Sequence, residues 1–217
     1  MYAAPVPLPH LRSWLVVPAT ALCLMSCSSS ALSALAPAST TAGSSAAAGS
    51  SAADAPASSG HVLKRVHDPR RVTGTLTGHC AYRDNGQLPD PRCTPGAVDP
   101  AVTQGNLRST ICHPGYTTTV RPSASLTDKF KYDVAYPAYG DAQSMKTELD
   151  HLVSLELGGA NDAANLWPET PPTPNPKDKV ENALHAAVCD GRVTLAAAQN
   201  AIASDWLTAE QRLGIAS

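Results

Sequence analysis

The stretch Glu148–Glu169, ELDHLVSLELGGANDAANLWPE, decides how this chain is read, together with NPKDK at Asn175–Lys179. Glu148 to Leu157 reads as a strand and hairpin running into Gly158-Gly159, and Asn165 to Trp167 as the returning strand. Pro168, Pro171, Pro172, Pro174 and Pro176 exclude regular structure after it, because proline lacks the N–H and clashes with the preceding turn. A helix is expected from near Lys177, where Val180, Leu184, Ala187 and Val188 recur at helical spacing before the stop at Asp190-Gly191. Thr194 then caps a second helix, Leu195 to Trp206, with Leu195, Ala198, Ile202 and Trp206 on one face. These two helices are expected to pack together and supply most of the core.

Within this frame, Asp150-His151, Gly158-Gly159, Asn165-Leu166 and Lys177 stand in an order and spacing that resembles the HNH endonuclease family, the ββα-metal nucleases. The resemblance covers roughly Glu148 to Cys189. It implies a strand, a loop, a second strand and a helix around one divalent cation, and hydrolysis of phosphodiester bonds in DNA or RNA. It also implies that Asp150 is a metal ligand, His151 the general base, and Asn165, fourteen residues on, the middle asparagine of the motif. The family's third motif residue normally falls nine residues after that asparagine, where this chain has Pro174, which cannot ligate. Asn175, one step later, is therefore the expected third ligand, with Asp178 or Glu181 as alternatives, and Lys177 stands where the family's phosphate-contacting lysine would be.

Elementary chemistry asks for the same residue types. Imidazole titrates near neutral pH and can be oriented through its second nitrogen, so His151 suits the removal of a proton from water. A carboxylate such as Asp150 with an amide oxygen suits a hard cation, Mg²⁺ foremost, with Mn²⁺ or Zn²⁺ also possible. Strict strand alternation sends Asp150 and His151 to opposite faces, so the constellation requires the strand to end or twist there. Glycine permits close approach of the two arms, and Asn165 can bridge them by hydrogen bonds.

Each element also has a plainer reading. An Asp-His pair or a Gly-Gly turn alone carries little, and the Pro174 departure favours an alternative in which the domain is a catalytically degenerate surface binding or structural module. Glu181 and His185 lie one turn apart and could bind metal, but read first as a solvent-facing helix pair. Glu148 shares a strand face with Asp150, as a supporting carboxylate or an edge charge. His79 and His113 flank cysteines without a ligand set, and Trp167 and Trp206 read as packing residues.

Residues 1–27 read as a lipoprotein-type signal segment: His10 and Arg12 precede an apolar run, Trp14 to Met25, that ends in Leu24-Met25-Ser26-Cys27, similar to a lipobox with Cys27 as the acylated residue. An ordinary cleaved secretory signal is the other reading, and both export the domain. Residues 28–60, almost wholly Ser, Ala, Thr, Gly and Pro, read as a disordered linker holding residues 61–217 away from the membrane's outer face. Four cysteines, Cys80, Cys93, Cys112 and Cys189, then remain for two disulfides; three pairings are possible, with Cys80–Cys93 favoured by its short polar loop. A zinc site is the rival, but no Cys-x-x-Cys spacing supports it.

The net charge of −2 excludes a strongly basic, tight duplex binder and leaves room for a nuclease with a local cationic groove. Lys64, Arg65, Arg70 and Arg71 form a small basic cluster that could touch phosphates but reads first as a solvated charge run. Val72 to Leu76 and Thr117 to Val120 are expected strands, and Asp99 to Ser109 and Ser125 to Tyr132 expected helices. The fold expected is α+β: a small disulfide-stapled domain with a hairpin-helix metal motif and a C-terminal helical pair. No protein partner beyond a nucleic-acid substrate is inferable.

Overall fold

The computed structural model describes residues 62–171 and 174–215. The expected signal segment, Cys27 and the linker lie outside those residues. The described part is a mixed helix and strand domain of the α+β class, with strands β1 (Lys64–Arg65), β2 (Ala97–Val98), β3 (Glu148–His151) and β4 (Leu166–Glu169). Helices α1 (Tyr116–Val120), α2 (Ala124–Phe130), α3 (Tyr136–Tyr139), α4 (Pro176–Cys189), α5 (Leu195–Asp205) and α6 (Ala209–Arg212) complete it, a π turn at Lys131–Ala135 joining α2 to α3.

β3 and β4 form an antiparallel hairpin with Asp150 opposite Trp167 and His151 opposite Leu166. Short strands would be marginal alone, so their loop is tied to a second pair, β1 parallel to β2. Asp99 N–H donates to the Gly158 carbonyl at 2.8 Å, and Ala160 N–H to the Ala97 carbonyl at 2.9 Å. The glycine pair is sterically required there. A Cβ on Gly159 would fall 1.8 Å from the Val153 carbonyl oxygen, and Gly158 has φ +74° with the Val102 side chain packed against it.

The core is built as the helical periodicity demands. Leu184 and Val188 of α4, Leu195, Ala198 and Ile202 of α5 and the nearby Trp206 are buried with Leu152, Val153, Leu157 and Trp167 of the hairpin. Thr194 caps α5 by accepting the Ala197 N–H, and Asn175 caps α4 by accepting those of Lys177 and Asp178. Trp167 and Trp206 are both core residues, Trp206 donating its indole N–H to the Gln87 carbonyl at 2.7 Å. Disulfides join Cys80 to Cys93 and Cys112 to Cys189, which indicates an extracellular or otherwise oxidising environment. Among the described residues no helix is long and apolar enough to cross a membrane.

Four expectations differ. Pro168, expected to exclude regular structure, lies within β4 opposite Leu149, since a two-stranded hairpin has only edge strands, where a missing N–H is tolerated. Thr117 to Val120 lies in α1, not a strand: Gly115, at φ 84°, starts the turn and the run is too short for β-branching to decide. Val72 to Leu76 contributes one bridge, Thr73 with Asp162, since Gly74 at φ +73° ends extended structure. Asp99 to Ser109 reduces to a 3-10 turn at Gln104–Ser109, because Asp99 is held by His67 and Ala101 instead of opening a longer helix. The helix expected at Ser125 to Tyr132 forms as α2 and passes into the π turn.

Candidate active site

Asn165 fixes the hairpin on which the site is built. Its side chain is fully buried, and Oδ1 accepts the N–H groups of Val153 at 2.9 Å and Ala97 at 3.2 Å. Nδ2 donates to the carbonyls of Val153 at 2.9 Å and Ala160 at 3.0 Å. All four hydrogen-bonding positions of the amide are used, and they join β2, the start of the loop and its far end. Asn165 thus bridges the two arms through backbone groups.

His151 is the last residue of β3, so the strand ends where the two neighbouring side chains must part company. Its ring is taken up by the loop: Nε2 lies 2.9 Å from Asn161 Oδ1, while Asn161 Nδ2 donates to the Val120 carbonyl at 2.9 Å. That carbonyl fixes which end of the amide faces the ring. Since Oδ1 can only accept, Nε2 carries the proton and Nδ1 keeps its lone pair. Burial pushes the imidazole pKa down to about 4, against the opposing pull of Asp150 and the Asn161 hydrogen bond, so the ring is neutral near pH 7 with Nδ1 unprotonated.

Asp150 belongs to a second set of groups, beneath the N-terminal part of α4. Lys177 Nζ donates to Asp150 Oδ2 at 2.6 Å, to the His151 carbonyl at 2.9 Å, and to Glu181 Oε1. Glu169 of β4, only 2% exposed, lies diagonally across the hairpin from Asp150 and accepts from Asn175 Nδ2 at 3.2 Å. Burial first, and then the negative charge of Asp150, push the Glu169 carboxyl well above the usual range. Burial also raises Glu181, with Lys177 opposing. Burial alone would discharge Lys177, but Asp150, Glu181 and Glu169 outweigh it and hold the ammonium charged.

Two sequence expectations need correction here. Lys177 is 1% exposed and committed to three oxygens inside the domain, so it cannot reach a substrate phosphate. Asn175 sits beside the cluster, but its Oδ1 already accepts the N–H groups of Lys177 at 2.8 Å and Asp178 at 3.3 Å. Capping takes the lone pairs that a metal would need.

Glu169 and Asn161 carry roles that sequence reasoning did not assign, and Glu181, named as an alternative ligand, joins the cluster. Glu169 had a usable signal: with Asp150 opposite Trp167, Glu169 is the diagonal neighbour of Asp150 on the same face. Asn161 had none, since its partner Val120 is 41 residues away.

The residues present fit a cation. Three carboxyl groups face one ammonium, so full ionisation would leave two negative charges, which a proton or a cation among them offsets. Elsewhere, Cys112, His185 and Cys189 offer atoms within 4.8 Å of one another, a group that could hold a metal ion. The two sulfurs are bonded to each other, however, and a disulfide offers no thiolate. Glu156 and His185 approach only to 4.0 Å, and His185 Nε2 lies 2.9 Å from the Ile111 carbonyl oxygen. Comparison with family models, curated proteins and solved structures finds no match to this chain.

Proposed function

We propose that the domain is a metal-dependent endonuclease of the HNH type, hydrolysing phosphodiester bonds of DNA or RNA. The observation that supports it most is the pairing of a neutral imidazole, its Nδ1 left unprotonated by the Asn161 contact, with the carboxyl group of the adjacent Asp150, which has Glu169 diagonally across the hairpin. His151 Nδ1 takes a proton from water as the water oxygen bonds to phosphorus and the bond from phosphorus to the leaving oxygen breaks. Asn161 keeps Nε2 protonated so that only Nδ1 can accept. Asp150 and Glu169, with Glu181 nearby, would hold a divalent ion, most suitably Mg²⁺. Bound there, the ion would offset the charge that grows on the phosphate and the leaving oxygen. Lys177 aims Asp150 and limits the negative charge of the cluster. Attachment to the outer membrane face through an acylated Cys27 belongs to the same proposal.

One observation favours a second reading, a catalytically degenerate binding module: the Lys177 ammonium is already ion-paired with both Asp150 and Glu181, where a metal ion would have to sit. A calorimetric titration of the full chain with Mg²⁺ or Mn²⁺ separates the two. Saturable binding lost in Asp150→Ala, with nicking of plasmid or degradation of RNA abolished by EDTA, is expected of the nuclease. Absence of both metal binding and cleavage leaves the binding module.

A further inference from the structure

A cationic pocket is walled by Arg121, which follows Val120 in the chain, and by Arg70, whose backbone N–H bonds the Val120 carbonyl. Its cavity, about 340 Å³, is lined by Arg70, Thr118, Arg121, Pro122 and Ser123. Both arginines are exposed, and among the described residues neither guanidinium lies within ion-pairing distance of a carboxylate. Lys64 and Arg92, by contrast, are paired with Asp162 and Asp90. In a chain of net charge −2, two unneutralised guanidinium groups on one cavity are a local departure from the average.

The pocket is also held in register with the imidazole. Arg70, a non-glycine residue at φ 65°, sits in the strained left-handed region and donates its N–H to the Val120 carbonyl at 2.9 Å. That carbonyl also receives Asn161 Nδ2 at 2.9 Å, and Asn161 Oδ1 holds His151 Nε2 at 2.9 Å. One backbone oxygen, adjacent in the chain to Arg121, therefore ties the pocket wall to the amide that orients the base.

We propose that the Arg70–Arg121 pocket seats a backbone phosphate of the nucleic-acid strand, beside the phosphodiester attacked at His151. The inference rests on the phosphodiester-hydrolysis reading and adds a strand-binding site to it. Guanidinium groups match phosphate oxygens in a planar fork, and the Thr118 and Ser123 hydroxyls supply further donors. Such contacts position the strand and carry no sequence information, so the site would accept strands of any sequence.

The test measures binding of the full chain to a short labelled oligonucleotide in EDTA, which prevents cleavage, across a salt series. Arg70→Gln with Arg121→Gln is compared with wild type, and Arg108→Gln, which lines a different depression beside Cys112 and Cys189, is the charge control. The double variant is expected to bind about tenfold more weakly, with the slope of log affinity against log salt reduced by about 1, while the control keeps the wild-type slope. Equal affinity and slope in the double variant, no oligonucleotide binding by wild type at low salt, or saturable binding of inorganic phosphate alone would each overturn the pocket's role. Cleavage is measured separately with metal. Binding through the arginines without cleavage would keep the pocket and end the hydrolase reading; cleavage with arginine-independent binding would do the reverse.

Discussion

The imidazole of His151 and the amide of Asn161 meet at 2.9 Å, and because Asn161 also donates to the Val120 carbonyl, the contact has one polarity. A base acting through Nδ1 needs that polarity. Asn161→Ala is expected to lower kcat by on the order of 10–100-fold, the range seen when a histidine's orienting partner is removed, with KM changed little. A merely structural role would instead lower the fraction of folded protein, leaving kcat per folded molecule unchanged.

Asn165 is a question of stability before it is one of chemistry. Removing its amide strands two N–H groups and two carbonyls in the interior. Asn165→Ala is expected to cost on the order of 3–5 kcal/mol, read as a lowered urea midpoint with an unchanged slope. A loss within about 0.5 kcal/mol, the range of ordinary surface substitutions, would show that the loop is held by other means.

The two disulfides should contribute unequally. Cys112–Cys189 closes a separation of 77 residues and Cys80–Cys93 one of 13. Loop-closure entropy gives about 4–5 kcal/mol for the first and about 3 kcal/mol for the second. Paired Cys→Ser variants compared by denaturant melts check the order, which reversed would mean that native-state packing outweighs chain entropy.

Acid should act on the disulfide loop through Asp90. Its carboxylate accepts from Ala81 N–H at 2.9 Å and Arg92 N–H at 2.9 Å, and the Arg92 guanidinium approaches to 2.8 Å. The Arg92 hydrogen bond, against the opposing effect of burial, holds this carboxyl well below the usual range. A carboxyl lowered on folding stabilises fully above its unfolded pKa, about 3.9, and that contribution is lost as pH falls further. Asp90→Asn should therefore be less stable than wild type at pH 7, by about 2–3 kcal/mol, with the difference shrinking below about pH 4. A constant difference down to pH 2 would contradict this assignment.

Legibility followed how local the cause was. The hairpin, α4 and α5 could be read because alternation, a cap and helical spacing act over a few residues, as at Thr194 and Asn175. So could the bridging by Asn165, since the glycine pair and the second arm lie close in sequence. α1 was missed because a short β-branched run has too little propensity to resist its flanking turn. Lys177 was misjudged because exposure depends on where β3 and β4 place Asp150 and Glu169, information that helix spacing lacks. Arg70, read as one more solvated charge, gains its setting only from contact with Val120, fifty residues later.

The central claim is that the imidazole at the end of β3 activates water for phosphodiester cleavage. Metal-dependent nicking of supercoiled DNA and degradation of RNA by the full chain, wild type against His151→Ala, addresses it directly, with circular dichroism to verify the fold. Activity in the wild type that EDTA removes, and a folded variant with at least a hundredfold lower rate, is the expected result. A folded His151→Ala protein that cleaves as fast as wild type would contradict the account.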